Sequence, residues 1–207
     1  MKVAVLVSGS GSNLQALIDD GIPIDSVVSN VAGVRALGRA EAAGIATAVF
    51  EQAAYADRPA RDAALAAWLE ARGTGLVVLA GYLHLLTGPF LRRFGGRIVN
   101  VHPSLLPAFP GAHAPADALA HGVRWTGATV HLVTAEPAEA DSGPIILQEP
   151  VALRHDDTVE TLHQRIQTAE HSLLPRGVRL LLEGRVAVVP GTRRTVIDVP
   201  EDLWGED

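Results

Sequence analysis

Cysteine is absent from the 207 residues, which excludes disulfides, thiol nucleophiles and thiolate metal centres. Lysine is almost as scarce, Lys2 being the only one. That removes the phosphate-loop lysine of nucleotide hydrolases and the Schiff-base lysine of pyridoxal enzymes. Anions must therefore be held by arginine, backbone N–H groups or helix ends. No hydrophobic run approaches the roughly 20 residues of a membrane span; the longest lies around Gly75–Gly81. The amino end has no basic stretch leading into an apolar run and a cleavage site, so no secretory leader is expected. Positive charge is also in deficit, with 17 basic against 23 acidic side chains and a net charge of −6. A nucleic-acid binder needs a concentrated basic face to release counterions, and this chain offers none. Neither nucleic acid nor membrane is expected as a partner, and the setting that fits is a reducing, cytoplasmic one.

What is present is apolar and periodic. Hydrophobic residues make up 48% and charged residues 19%, the balance of a folded chain with one sizeable core. Lys2–Val7 reads as a buried strand, Ser8–Ser12 as a glycine turn and Asn13–Asp20 as a helix. Ile24–Ser29, Ala46–Phe50, Leu76–Ala80 and Ile98–His102 read as further strands. Helices are expected at Val34–Ala43 and Pro59–Arg72. Strands alternating with helices give a mainly parallel, doubly wound α/β sheet. A proline-rich loop, Pro103–Gly111, follows the strand ending at His102. In the second half, Thr126–Thr134 alternates polar and apolar residues, as a half-exposed strand does. Ile145–Leu153 is another strand, and Thr158–Glu183 a long helical stretch expected to break or kink at Pro175. Val186–Pro190 reads as a final edge strand. One domain over residues 1–190, with an irregular tail over 191–207, is the expected organisation.

Three motifs carry chemistry. Ser8-Gly9-Ser10-Gly11-Ser12-Asn13 joins the first strand to the first helix. Glycines there let backbone approach a ligand, and the helix start turns unpaired N–H groups towards an anion. Ser12 is a natural helix cap, and the N–H groups of Gly11, Ser12 and Asn13 suit a phosphate. Leu14 stands where a dinucleotide fingerprint has its last glycine, so the turn reads as a phosphate site. The second motif, Asn100-Val101-His102-Pro103-Ser104-Leu105-Leu106-Pro107, ends a strand. Period-two alternation sends Asn100 and His102 to one face at the carboxyl end of the sheet. An amide and an imidazole side by side can both donate to negative charge developing on oxygen. The third, Asp141-Ser142-Gly143-Pro144, supplies a carboxylate that would favour an imidazolium at His102. Taken alone it is equally a turn aspartate before Gly-Pro. The eight histidines fall at no tight ligand spacing, so no metal site is expected; His84, His113, His121, His155, His163 and His171 read as surface or helix-face residues.

In this order and spacing the motifs resemble the phosphoribosylglycinamide formyltransferase family, over residues 1–190. The stretches "SGSGSNLQALI", "VVLAGYL", "NVHPSLLPAFPG" and "DSGPIILQ" carry the likeness. The resemblance implies a Rossmann-like formyltransferase fold with antiparallel strands in its carboxyl-terminal half. It implies transfer of a formyl group from 10-formyltetrahydrofolate to the amine of phosphoribosylglycinamide, a step of purine biosynthesis, without a metal, by a monomer or homodimer. Asn100, His102 and Asp141 match the catalytic trio. Gly11, Ser12 and Asn13 match the phosphate site, and Gln167, Thr168, Ala169 and Glu170 the rest of the substrate site. Arg58, Leu83, His84, Leu85, Leu86, Asn100, Thr134 and Asp141 match the folate site. The chain departs from the family pattern at three places. "TAEPAEAD" lengthens the loop before Asp141 and brings in Glu139 as a second acid; His84 stands where arginine is common; and "GAHAPADAL" diverges after His113. Alternatives from neighbouring classes are another folate-dependent formyltransferase or hydrolase, and a non-catalytic phosphosugar-binding module. The first needs an additional domain and the second has no use for the trio.

Overall fold

The computed structural model describes residues 1–133 and 141–198. Strands β1 (Lys2–Val7), β2 (Ile24–Ser29), β3 (Ala46–Val49), β4 (Thr74–Leu79), β5 (Ile98–His102), β6 (Trp125–Leu132) and β7 (Ile145–Ala152) form one sheet in the order β3-β2-β1-β4-β5-β6-β7. β1 to β5 run parallel to one another, β6 runs antiparallel to β5, and β7 antiparallel to β6. The Rossmann-like α/β fold is thus as expected, antiparallel half included. Because β2 and β4 lie on opposite sides of β1, the chain reverses its winding between β1 and β4. Ligands in open α/β sheets gather at the strand ends beside such a point, and the glycine turn leaves β1 there.

Alternation along β1 explains the layers. Val3, Val5 and Val7 face α1 (Ser12–Asp19), α2 (Arg35–Ala42) and α6 (Val159–Leu182), in a core with Leu14, Leu17, Leu37, Leu162, Ile166 and Val178. Ala4 and Leu6 point the other way, into a second core with Leu65, Leu69, Phe90 and Phe94 of α3 (Arg58–Ala71) and α4 (Gly88–Phe94). Both faces of the sheet are covered, which is why its strands read as unbroken apolar runs. Asp57 caps α3 by accepting from Ala60 N–H at 2.7 Å, and Thr158 and Thr161 close a reciprocal capping box on α6.

Several expectations are corrected. α4 and α5 (Ala114–His121) occupy stretches in which no element is expected; each carries proline in its first turn, a start signal rather than a breaker. α6 runs through Pro175 without interruption. Pro175 has no N–H for the His171 carbonyl, yet Leu173, Leu174, Pro175 and Val178 are all buried, and packing of that face outweighs one lost bond. Thr126, Thr129 and His131 of β6 are buried, not exposed: the loop after β5 bonds to Thr129 on one face, while Thr126 lies on the opposite face with Ala128, Val130 and Leu132, which belong to the core beneath α6. Val186–Val188 is not an edge of the main sheet: as β8 it pairs with β9 (Thr195–Ile197) in a separate two-stranded ribbon. The tail is therefore not irregular throughout. Thr195 ties the ribbon to β7 by donating to the Ile145 carbonyl at 2.6 Å.

Two glycines test this packing. A Cβ on Gly127 of β6 would lie 2.0 Å from the Glu149 carbonyl oxygen and 2.8 Å from Leu105, whereas a Cβ on Gly38, inside α2, meets nothing within 4 Å. Gly127→Ala should destabilise by at least the roughly 1–3 kcal/mol of an overpacked core. Gly38→Ala should stabilise by about 0.5–1 kcal/mol. Chemical denaturation of both variants checks the pair, and equal effects would contradict the packing.

Candidate functional site

The glycine turn enters α1 through Gly11, which sits in the left-handed region at φ 72° and is the residue before the helix. A Cβ there would also press to 2.6 Å from the Ala36 Cβ, so both conformation and space demand glycine. Ser12 is the first helical residue and makes no side-chain cap, which corrects its expected capping role. The first N–H groups of α1 have no acceptor within the helix and open towards the carboxyl edge of the sheet. The turn is braced from behind: Arg39 donates to the Ser10 carbonyl at 3.0 Å, and Ala36 N–H to that of Gly9 at 3.1 Å.

Asn13 and Glu170 meet across α1 and α6, Asn13 Nδ2 donating to Glu170 Oε2 at 2.9 Å. Both are buried. Burial raises the Glu170 carboxyl from an ordinary 4.5 to about 7, the Asn13 bond opposing it. Among the described residues Asn13 Oδ1 is buried without a partner. Of the other substrate-segment residues, Ala169 is buried and Gln167 half-buried, whereas Thr168 is exposed and returns its hydroxyl to the Gln164 carbonyl at 3.1 Å.

The second cluster is built by strand register. β5 and β6 pair so that Asn100 lies opposite His131 and His102 opposite Thr129. Asn100 Nδ2 lies 3.2 Å from His131 Nε2. His131 Nδ1 lies 3.0 Å from the Leu132 carbonyl, which can only accept, so Nδ1 carries the proton and Nε2 is the acceptor for Asn100. Burial, above all, lowers the His131 pKa and keeps the ring neutral. One Asn100 N–H is thereby committed and the other left free. His102 Nε2 lies 2.8 Å from the Phe109 carbonyl and so carries a proton. His102 Nδ1 faces Asp141 Oδ2 at 3.5 Å. Each ring nitrogen thus has an oxygen beside it, the Phe109 carbonyl within hydrogen-bond distance and the Asp141 carboxylate somewhat farther off.

Asp141 adopts φ 58°, a left-handed conformation that Asp tolerates better than most residues. Its Oδ2 accepts from Gly111 N–H at 2.9 Å, and Oδ1 lies 3.7 Å from His131 Nε2. The Pro103–Gly111 loop beneath the cluster is fixed by Thr129, whose hydroxyl donates to the Ser104 carbonyl at 2.7 Å and accepts from Leu106 N–H at 3.1 Å and Gln148 Nε2 at 3.0 Å. Asn100, His102 and Asp141 are thus brought together. His131, Thr129 and Gln148 are not among the sequence candidates: Thr129 and His131 stand at alternate positions of β6, a pattern that reads as half exposure, and Gln148 faces Thr129 from β7.

The expected folate segment leaves β4. Leu83 and Leu85 are 81% and 58% exposed while Leu86 is buried. Arg58 donates to the Leu85 carbonyl, and Leu83 N–H donates to Ser8 Oγ at 3.0 Å, while that hydroxyl donates to Asn30 Oδ1 at 2.6 Å. One serine therefore fastens this loop to the glycine turn. Thr134 and Glu139 lie outside the described residues. Among the described residues no group of three or more His, Asp or Glu is placed to hold a metal.

With this geometry in view, the formyl transferase family model matches residues 1–178. The chain belongs to the formyl transferase family. It is 45% identical to the phosphoribosylglycinamide formyltransferase of Mycobacterium tuberculosis, over 92% of this chain and 89% of that one. It is likewise 45% identical to the human trifunctional purine biosynthetic protein adenosine-3, over 89% of this chain but 19% of that protein; the chain spans about a fifth of the trifunctional relatives. Among solved structures it superposes on glycinamide ribonucleotide transformylase 1 of Symbiobacterium toebii with a TM-score of 0.90 and 48% identity, covering 95% of this chain and 93% of that one. The Anaplasma phagocytophilum phosphoribosylglycinamide formyltransferase gives a TM-score of 0.88 at 35% identity, covering 97% and 96%.

Glu170 yields a prediction for the unliganded protein. Its folded pKa lies above the unfolded one, so its contribution to stability is full below pH 4.5 and is lost as pH rises through about 7. Glu170→Gln removes that loss. Between pH 5 and pH 8 the wild type should lose up to about 3 kcal/mol more stability than the variant. Denaturant unfolding at the two pH values checks this; parallel losses would show that Glu170 is not desolvated.

Proposed function

We propose that the protein transfers the formyl group of 10-formyltetrahydrofolate to the amine of phosphoribosylglycinamide, giving the N-formyl product and tetrahydrofolate in purine (IMP) biosynthesis. The observation that carries this reading is the convergence of Asn100, His102 and Asp141 at the carboxyl end of β5, on the same edge of the sheet as the glycine turn. The relatives and solved structures named above support it.

In this reading the N–H groups of Gly11, Ser12 and Asn13 hold the substrate phosphate by hydrogen bonds and by the positive end of α1. Asn13 Oδ1 takes a hydrogen bond from the sugar, and Glu170, ionised once a donor reaches it, binds ribose hydroxyls or the amine-bearing end. Leu83–Leu86 and Arg58 line the folate site. The neutral amine attacks the formyl carbon; a C–N bond forms and the carbonyl electrons move onto oxygen. The free Asn100 N–H and the His102 Nδ1–H donate to that oxyanion. Asp141 keeps His102 charged and positions a water that carries a proton from the attacking amine to the folate nitrogen as its bond to the formyl carbon breaks. His131 holds Asn100 in the donating orientation. The residues supply every donor and acceptor these steps use, so the mechanism is metal-free. It acts on small molecules alone, in the cytoplasm, as a monomer or homodimer.

Mixing protein with both substrates and following N-formyl product and tetrahydrofolate tests the assignment. Binding without turnover would indicate a phosphosugar-binding module, and formate release without product a hydrolase. His102→Ala should bind both substrates with near-wild-type affinity while kcat falls about 100- to 1000-fold, the usual cost of one oxyanion donor. Near-normal turnover would remove the role. Asp141→Asn should cripple turnover and Glu139→Gln leave it close to normal; the reverse pattern would move the acid to Glu139. A chelator should leave the rate unchanged, and inhibition reversed by added metal would contradict this chemistry.

A further inference from the structure

Beneath the exposed loop that follows β4 lie two adjacent charges, Arg61 and Asp62 of α3, both with 0% exposure. Arg61 Nε and Nη2 donate to Asp62 Oδ1 at 3.0 and 2.6 Å. Both groups also reach the loop. Arg61 Nη1 lies 2.8 Å from His84 Nδ1, and Asp62 Oδ2 accepts from both Thr87 N–H and Thr87 Oγ1 at 2.8 Å. A guanidinium can only donate, so His84 Nδ1 is the acceptor. Burial and the nearby charges of Arg61 and Arg58 lower the His84 pKa and hold the ring neutral, as that bond requires.

An ion pair this deep is expensive to desolvate, and an apolar pair of the same volume would fill the space at less cost. What apolar packing cannot give is direction. Leu83 and Leu85 stand out into solvent, a posture that hydrophobic burial would reverse by drawing them inward. Polar anchors at His84 and Thr87 hold the loop backbone while its leucines face outwards. We propose that Arg61 and Asp62 are positioning residues for the folate site: they fix the His84–Thr87 segment so that Leu83 and Leu85 present an apolar face to the flat ring system of the co-substrate. Neither touches the reacting atoms. The inference rests on the proposed function in taking that ring system to be a folate.

The test is Arg61→Met, which keeps length and loses the guanidinium, beside His84→Leu, which leaves the buried ion pair intact, and the double variant Arg61→Met/His84→Arg, which returns a guanidinium from the loop side. Arg61→Met and His84→Leu should each raise the folate KM by about tenfold or more, within the cost of a lost buried hydrogen-bond partner. The KM for phosphoribosylglycinamide should stay within about twofold, the pattern of lost co-substrate binding alone. The double variant should recover most of the folate KM, which a general loss of packing would not permit. Unchanged folate KM in both single variants, equal rises in both KM values, or no recovery in the double variant would overturn the proposal. Hydrogen exchange separates it from the functional reading. Should the wild type not turn over formyltetrahydrofolate, loss of amide protection confined to residues 82–87 in His84→Leu still supports the positioning device, and protection unchanged there overturns it.

Discussion

The antiparallel pairing of β6 with β5 is the constraint on which the site depends. It sets Asn100 against His131 and His102 against Thr129, so in the proposed mechanism one strand supplies the reactive groups and its neighbour the groups that orient them. A one-residue slip would turn every one of these side chains to the opposite face. The register is protected by what it buries: Val99 and Val101 lie in one core and Ile98 in the other, so a slipped β5 would expose valine and bury asparagine. The packing that stabilises the sheet is therefore also what aims the chemistry.

From that pairing the remaining parts follow in order. Thr129 pins the loop after β5, that loop carries the Phe109 carbonyl to His102 Nε2, and Gly111 N–H carries Asp141 to His102 Nδ1. On the far side of the winding reversal, the glycine turn is joined to the loop after β4 through the Ser8 hydroxyl. The backbones proposed to bind phosphate and folate thus share one hydrogen-bonded frame. Reactants held in such a frame meet without the entropy cost of a chance encounter, which suits a reaction whose protein groups only donate, accept and position.

Much of this was legible beforehand, and the limits have physical causes. The parallel half was readable because buried parallel strands leave continuous apolar runs between helices, as in Lys2–Val7 and Leu76–Ala80. Asn100 and His102 were readable because alternation within one strand is local. His131 was not, since its partner is 31 residues away and the exchange requires knowing which strand lies beside β5. Thr129 on β6 was misread as exposed because a covering loop satisfies it as water would. The helix does not break at Pro175 for a related reason: local propensity argues against continuation, and burial of one long face overrides it. Arg61 and Asp62 carry no mark of burial in the sequence, and only the fold of the loop over them makes them interior.

A crystal structure with phosphoribosylglycinamide and a non-transferring folate analogue bound would measure the convergence directly. The phosphate should sit on the N–H groups of Gly11, Ser12 and Asn13. The amine should stand beside the carbon that replaces the formyl group, with the oxygen on that carbon about 3 Å from Asn100 Nδ2 and His102 Nδ1. A phosphate seated elsewhere, or an amine directed away from His102 and Asp141, would contradict it.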